Sequence, residues 1–524
     1  MSTLTPAQRT QLFWACFVAL LATAFAFMLR MVIMPEWEEA FLLTKTQIGT
    51  LFGAGLWPFG VSIVVFSLIL DKIGYGKAMV FAFICHVAFA LMTIFASGYD
   101  MLYWGSVLGA LAAGTVEAVI NPLIATVYHE NKTKWLNILH AGWPGGLVIT
   151  GIVTLGLADA ISWEWKISLI LIPTIAYGIM LSRSVFPVSE RVAAGIPYRR
   201  MLREVGWGGA FIVALMIVME LTANVLGIPE LQNFTAQLLL AAGIAAIYGM
   251  FITDDKGTGL EGIVRSFGQP MYIFILLIML LLATTELGTD TWIKDLLGPA
   301  IKDTIGIDGG WALVYSATIM MLLRIFCGPI IGALKPLGVL ACSAAIAAIG
   351  LYWLGSLSAP GAATSGVIIL IAATIYGIGQ TFFWPTTLGF VAEQFPKGGA
   401  MTLNVVAGVG MLGVGVLGSV WLGNVQDRSI VDALELEHPA LVSTYVTEPK
   451  ESIFGEYQAL ATWSEDGVPA DHVPALESAG RSGKSTAFKR VAVLPLIMLI
   501  GYICLILHFR QRGGYKPIEL DPLA

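Results

Sequence analysis

Long apolar runs recur along the whole chain, and they constrain its fold more than any other feature. Each run of about 20 residues is long enough to cross ~30 Å of hydrocarbon as a helix. Only 12% of the residues are charged, which is about half the share in a typical soluble domain. Because backbone groups in a bilayer must be satisfied internally, we predict an all-α polytopic membrane protein. The runs number about fourteen, at 11–34, 47–70, 77–96, 101–127, 136–158, 167–186, 207–227, 234–252, 270–293, 311–333, 338–356, 366–391, 401–423 and 491–509.

The runs fall into two groups of six, separated by a polar connector and one further pair. We predict an N-terminal six-helix bundle over 1–186, a cytoplasmic connector with an inserted helix pair over 187–269, and a C-terminal six-helix bundle over 270–524. The last unit includes the polar segment 424–490, predicted to be an extracytoplasmic loop. Placing the termini inside assigns most Lys and Arg residues to inner loops. The sequence therefore predicts a multi-pass protein of the cell membrane with both termini cytoplasmic.

Composition excludes several functional classes. The formal net charge of −6 says little about partners, because orientation in a membrane follows the placement of Lys and Arg rather than their sum, and no nucleic-acid surface is implied. The five cysteines lie in apolar runs and the six histidines are scattered, without the spacing of a metal site. The sequence contains no cluster of His and Asp that would indicate a membrane-embedded enzyme. We therefore predict a non-enzymatic protein without cofactor or metal, acting as a monomer in the lipid bilayer.

The fourth run carries a carboxylate, Glu117, near its middle, in the stretch GTVEAVINPLIATVY. A charged side chain at the bilayer centre costs roughly 2.5–3.5 kcal/mol even on the lenient insertion scale, so such a group normally faces a protein-lined or watery cavity. Asn121 follows four residues later and therefore lies on the same helical face. We predict that both residues line a functional cavity. The alternative is that Glu117 is a structural anchor bonded to a neighbouring helix.

Several segments resemble a known family. The loop SLILDKIGYGK after the second run resembles the major facilitator superfamily signature. The series EAVINPLIATV, LNILHAGWPGG, TELGTDTWIKDLL, LLRIFCGPIIG and YGIGQTFFWPTTLGFVAEQFP together resemble the fucose permease branch of sugar:proton symporters. This resemblance implies a major facilitator fold and alternating-access, proton-coupled uptake of a sugar or similar polyhydroxylated small solute. A uniporter or exporter of another solute and a non-transporting membrane sensor are the alternatives.

The resemblance also implies roles for individual residues. Glu117 stands in the place of a helix-four glutamate that takes part in proton coupling and sugar binding. His140 and Trp143 stand where the branch usually has a glutamine and an asparagine. Glu286 and Trp292 match a glutamate and a tryptophan of the seventh family helix. The departures at His140 and Trp143 leave the identity of the solute open.

A sugar site needs hydrogen-bonding groups together with flat aromatic faces. Tyr376, Gln380 and Trp384 recur every four residues, which predicts that they project from one helical face. The predicted solute-binding residues are Glu117, Asn121, His140, Trp143, Glu286, Gln380 and Trp384.

Two arginines lie within apolar runs. Arg30 either extends to the outer interface or forms an ion pair with Glu117 or the solute. Met31 occupies about the position where the resembling branch carries a second proton-coupling acid, so the coupling ion stays open. Arg324 is predicted to join an inner charge network with Glu393 or a neighbouring loop, and contact with the solute is the alternative.

Charged residues in short inner loops can hold two bundles together in one conformation and release them in another. Asp71, Lys72 and Lys77 lie in the loop after the second run. We predict that they form a conformational latch.

Overall fold

The computed structural model describes residues 4–157, 160–253, 260–289, 302, 306, 310–357, 365–450, 452–461 and 468–520. In these ranges twelve helices are long and apolar enough to cross a membrane, and two shorter apolar helices, α9 and α10, complete the series. The helices are α1 Pro6–Ala40, α2 Gln47–Ile73, α3 Tyr75–Ile94, α4 Tyr99–Val127, α5 His129–Leu157, α6 Trp163–Ser182, α7 Tyr198–Glu220, α8 Phe234–Ile252, α9 Pro270–Glu286, α10 Trp311–Ile325, α11 Gly328–Leu357, α12 Gly366–Gln394, α13 Pro396–Glu437 and α14 Val473–Gln511.

Each predicted apolar run corresponds to one of these helices, and the predicted all-α, membrane-spanning fold is confirmed. Trp292 lies outside the described residues. Both ends of the chain lie on the same side of the helices. Near the N-terminus Arg9 bonds Glu130 between α4 and α5, and near the C-terminus Tyr515 bonds Glu393 at the end of α12. We call this the termini side and the opposite side the far side.

The two six-helix bundles, α1–α6 and α9–α14, meet along several helix pairs, including α2 with α13 and α5 with α10 and α12. Small residues let the helices of the two bundles approach each other closely, as is typical of helices packed in membranes. A Cβ atom at Gly60 would lie 2.7 Å from the Leu412 side chain, and one at Gly408 would lie 2.8 Å from the Val64 side chain. Bulkier residues at these positions would push the two bundles apart.

Helices α7 and α8 occupy the place of the predicted inserted pair. α7 packs against α13 and α9, and α8 packs mainly on α7. The Tyr248 hydroxyl donates to the carbonyl of Leu202 at 2.9 Å, and Arg203 Nε donates to the carbonyl of Ile252 at 2.7 Å. The other face of α8 exposes Ile247 and Met250, as expected of a surface that faces lipid.

Helices make up much of the described part of the far-side segment 424–490, which the sequence predicts as a loop. α13 continues to Glu437 and α14 begins at Val473, and a short helix, Pro439–Tyr445, lies between them. The two extensions pack against each other through a small apolar core that includes Leu434, Leu476 and Ala479. This apolar stripe is too narrow to appear as a long apolar run in the sequence, which is why the segment resembled a loop.

Candidate functional site

A cavity of about 320 Å³ lies between the two bundles. Five of the seven predicted solute-binding residues line it: Glu117, His140 and Trp143 from the N-terminal bundle, and Glu286 and Trp384 from the C-terminal bundle. Most of the remaining wall is apolar. Its apolar residues are Phe27, Met28, Met31, Phe52, Leu56, Phe59, Leu147, Leu287, Leu313, Met411, Val414 and Leu422.

In the N-terminal bundle, Asn121 connects Glu117 with His140. Asn121 Nδ2 donates to the backbone carbonyl of Glu117 at 3.0 Å and to Glu117 Oε2 at 3.2 Å. Asn121 Oδ1 lies 2.9 Å from Nε2 of His140. Because the amide oxygen can only accept, we assign the imidazole proton to Nε2. His140 Nε2 is 4.0 Å from Glu117 Oε2, so the carboxylate lies within a short polar network.

In the C-terminal bundle, Arg324 pairs with Glu286, and the predicted network of Arg324 with Glu393 is wrong. Arg324 Nη2 donates to Glu286 Oε1 at 3.0 Å. Its Nε donates to the carbonyl of Thr381 at 2.7 Å, and its Nη1 donates to the carbonyl of His140 at 3.0 Å. Both charged side chains are almost fully buried. A buried ion pair requires such additional hydrogen bonds to offset its desolvation.

Helix breaks supply the two carbonyl groups that Arg324 contacts. α5 consists of Lys132–His140 and Gly142–Leu157, and α12 consists of Gly366–Gln380 and Phe383–Gln394. The last carbonyls of a helix have no partner within it, and they carry partial negative charge. A guanidinium beside two such ends is therefore stabilised by both bundles. Broken helices around a central site are a common feature of secondary transporters.

Trp384 lies in the first turn of the second part of α12, next to carboxylates of both bundles. Its indole N–H is close to the Glu117 carboxylate and its backbone N–H is close to Glu286. Neither contact has the geometry of a full hydrogen bond, since the indole Nε1 and Glu286 Oε2 lack hydrogen-bond partners among the described residues.

Two predicted solute-binding residues, Asn121 and Gln380, do not line the cavity. Asn121 is fully buried behind Glu117 and forms hydrogen bonds with both Glu117 and His140. Gln380 ends the first part of α12 and is buried outside the cavity lining. Tyr376 bonds the carbonyl of Thr285 and packs within the C-terminal bundle. The predicted common face of Tyr376, Gln380 and Trp384 is therefore interrupted by the helix break.

Arg30 does not form the predicted ion pair with Glu117 among the described residues. Its Nη2 donates to the carbonyl of Leu51 at 2.7 Å and to that of Phe52 at 3.3 Å. These carbonyls lie in the last turn of the first part of α2, which ends at Gly53. Its guanidinium fills the space that a Cβ at Gly55 would occupy. Arg30 is thus a buried cap of a broken helix and does not extend to an interface.

On the termini side, the start of α5 and the end of α12 bond directly across the two bundles. Glu393 Oε1 accepts from the backbone N–H of Thr133 at 3.1 Å and from its hydroxyl at 2.5 Å. Asn137 Nδ2 donates to Thr386 Oγ1 at 3.1 Å, and Lys132 Nζ donates to the carbonyl of Ala392 at 3.3 Å. We call this set of contacts the interlock. It closes the termini side below the central cavity.

Asp71 bonds the connector instead of its predicted latch partners. Arg191 donates to Asp71 Oδ2 from Nε at 2.9 Å and from Nη2 at 2.6 Å, and Ser189 donates to Oδ1 at 2.9 Å. Lys72 lies 5.1 Å above the ring of Tyr198. Lys77 is exposed, and no partner of Lys77 is found in the described part of the chain. Asp71 therefore joins α2 to the connector without Lys72 or Lys77, and the latch stays a prediction.

The role of Arg324 was missed, although the sequence contained a signal. A cation within the apolar run LLRIFCGPIIG needs an intramembrane carboxylate, and Glu286 is one of the few candidates. The interlock had no comparable signal. Thr133, Asn137 and Thr386 are ordinary uncharged residues, and only the packing of α5 on α12 gives them partners.

Comparisons with known proteins agree with this architecture. A family model described as Major Facilitator Superfamily matches residues 16–419. A curated protein of Cupriavidus pinatubonensis, named as a probable 4-methylmuconolactone transporter, is 23% identical over 162 residues. The match covers 30% of this chain and 38% of the relative, so the chain is aligned with less than half of that protein.

Two solved structures show the same fold over almost the whole chain. One is the proton:xylose symporter XylE bound to 6-bromo-6-deoxy-D-glucose, with a TM-score of 0.61, 13% identity and 99% coverage of both chains. The other is the human organic anion transporter MFSD10, with a TM-score of 0.57, 9% identity and coverage of 95% of this chain and 100% of the other. At such low identity these likenesses concern the fold alone.

Proposed function

The chain belongs to the major facilitator superfamily, and we propose that it takes up a small solute together with a proton by alternating access. The observation that carries this proposal is the position of Glu117. This buried carboxylate shares one cavity with the Glu286–Arg324 pair of the other bundle. Alternating access requires two bundles to move around a central site. The interlock then represents the closed state of the termini side, which we place in the cytoplasm.

Proton coupling is assigned to Glu117 because its partners differ from those of Glu286. Glu286 is paired with Arg324, whereas Glu117 accepts from the neutral Asn121 and lies near the indole of Trp384. A proton on Glu117 removes the charge that Trp384, on the opposite bundle, stabilises. Protonation therefore changes the free energy of contact between the bundles, which links it to their movement.

The sugar-like solute stays a prediction that rests on the resemblance to the fucose permease branch. Its polar groups would bond Glu117, His140 and Glu286, while Trp143 and Trp384 would cover the apolar faces of its ring. XylE, which has the same fold, is a symporter of xylose and a proton. Transport of a sugar would be consistent with this arrangement.

A second candidate solute is favoured by the composition of the cavity wall. Apolar side chains form most of the wall, and the amides of Asn121 and Gln380 are buried behind it. A richly hydroxylated solute would leave hydroxyl groups unpaired against the apolar residues, which is costly. We therefore propose, as the second candidate, a compact solute with polar groups on one edge and an apolar body. The name of the curated relative, a probable 4-methylmuconolactone transporter, also favours this second candidate.

Binding and flux measurements distinguish these candidates. Purified protein would be titrated with hexoses, 6-deoxyhexoses and 4-methylmuconolactone, using tryptophan fluorescence as the signal. Uptake of each bound solute would then be measured in proteoliposomes with and without a pH gradient. Flux without dependence on the gradient would indicate a uniporter, and net export would indicate an exporter. Binding without flux would indicate a sensor and would contradict the proposed transport.

Trp143→Ala is expected to weaken solute binding about tenfold, because it removes a large flat face from the cavity wall. Trp143 is partly exposed to the cavity and packs against Phe27 with ring centroids 5.4 Å apart. The dissociation constant would be compared with that of Trp165→Ala, a matched change at an exposed tryptophan of α6. Equal affinities for the two variants would assign Trp143 to packing alone.

A further inference from the structure

The described residues after α14, 512–520, lie against the termini side. After α14 the backbone reverses at Gly513 and Gly514, whose φ angles of 87° and 97° suit glycine. The chain after α14, residues 512–520, runs across the termini side. We call this segment the tail.

Hydrogen bonds attach the tail to the end of α12. The Tyr515 hydroxyl donates to Glu393 Oε2 at 2.7 Å, and the backbone N–H of Ile518 donates to the Glu393 carbonyl at 2.8 Å. Gln394 Nε2 donates to the carbonyl of Lys516 at 2.9 Å. The Tyr515 ring also packs against Phe390, with centroids 6.0 Å apart. These contacts bind the tail to the C-terminal bundle.

The last described residue of the tail, Leu520, reaches the other bundle. It lines a pocket of about 110 Å³ together with residues of the N-terminal bundle, including Leu4, Thr126 and Val127. The pocket is completed by Glu190 and neighbouring residues of the connector. The tail therefore spans from one bundle to the other on the termini side.

Glu393 joins the tail to the interlock. One of its carboxylate oxygens accepts from Thr133 of the N-terminal bundle, and the other accepts from Tyr515 of the tail. When the bundles separate on this side, Thr133 must leave Glu393, and the pocket that Leu520 lines together with the N-terminal bundle must open. We propose that the tail is a strap that holds the termini side closed and must be released before this side can open. This proposal requires opening of the termini side but does not depend on the identity of the solute.

A natural cysteine can report this opening. Cys327 is completely buried at the start of α11, and its Sγ lies 3.8 Å from the carbonyl of Lys134 of the N-terminal bundle. Separation of the bundles on this side would expose it. Cys16 is buried within the N-terminal bundle and would react only if that bundle unfolds. The rate of maleimide labelling at each cysteine can be measured by peptide mass spectrometry on full-length protein in detergent.

We expect a variant that ends at Arg512 to label at Cys327 about tenfold faster than the full chain, with Cys16 unchanged. Tyr515→Phe removes a single hydrogen bond to Glu393 and is expected to increase the rate about threefold. Tyr457→Phe, in the far-side segment, is the matched control and should label at the original rate. An unchanged rate at Cys327 in the shortened chain would overturn the proposal.

A second variant keeps the test valid if the shortened chain loses its fold. In that case Cys16 would also be labelled, and the shortened chain would not be used. Leu520→Asp leaves the hydrogen bonds of the tail in place and changes only the side chain that lines this pocket opposite the N-terminal bundle. Faster labelling of Cys327 in Leu520→Asp, with Cys16 still protected, would support the strap. Labelling at the original rate in both Leu520→Asp and Tyr515→Phe would refute it.

Discussion

Glu117→Gln is expected to abolish accumulation of solute driven by a pH gradient while exchange of solute across the membrane continues. Glutamine keeps the size of the side chain and can still accept the hydrogen bond of Asn121, but it cannot bind and release a proton. The coupled step should be lost and the solute site retained. Accumulation should fall to the level of equilibration, whereas counterflow should stay within about twofold of the original rate.

The measurement uses proteoliposomes with an imposed pH gradient for accumulation and preloaded solute for counterflow. Glu220→Gln is the matched control, since Glu220 is also a buried carboxylate but lies on the inserted helix α7, outside the cavity lining. This control should accumulate solute normally. If Glu117→Gln still accumulates solute in response to the gradient, Glu117 is not the coupling group and the proposed proton coupling fails.

Arg324→Met is expected to destabilise the protein by about 3–5 kcal/mol, because it leaves the Glu286 carboxylate buried without its cation. It also removes the donors to the helix-end carbonyls of Thr381 and His140, which lie in different bundles. The contact between the bundles should therefore weaken together with the fold. The measurement is the free energy of unfolding in mixed detergent, combined with the yield of monodisperse protein.

A double variant separates the ion pair from the rest of the effect. Arg324→Met combined with Glu286→Leu removes both charges, and buried pairs replaced by apolar residues are often neutral or even stabilising. We expect the double variant to recover at least about 2 kcal/mol relative to Arg324→Met alone. Its transport should nevertheless remain impaired. If the two variants are equally unstable, the packing of the arginine and its carbonyl contacts matter more than its charge.

The spacing of residues within one helix was the sequence feature that predicted side-chain contacts in the site most reliably. Glu117 and Asn121 are four residues apart on one continuous helix, so their hydrogen bond follows from helix geometry alone. The same spacing did not bring both Gln380 and Trp384 to the cavity: Trp384 lines it, Gln380 is buried outside it, and the helix is interrupted between them. Four-residue spacing places side chains on one face only while the helix is unbroken.

The spacing of residues along the chain could not predict hydrogen-bond and ion-pair partners that are far apart in the sequence. The sequence leaves Arg30 either at the outer interface or paired with Glu117 or the solute, whereas its guanidinium bonds the carbonyls of Leu51 and Phe52 at the end of a broken helix. Arg324 was assigned to Glu393, whereas Glu393 is occupied by Thr133 and Tyr515. Charge indicates that a buried group needs a partner, but it does not indicate which of several distant groups is close enough.

The sequence by itself determined the number and order of the membrane-spanning helices, because only a long apolar run that satisfies its own backbone hydrogen bonds can cross a bilayer. It also determined that Glu117 needs a polar environment. Only the tertiary structure decided which groups supply that environment, where the helices break, and how the tail connects the two bundles. These outcomes depend on contacts between residues far apart in the chain, and the distance between such residues is fixed only when the bundles pack against each other.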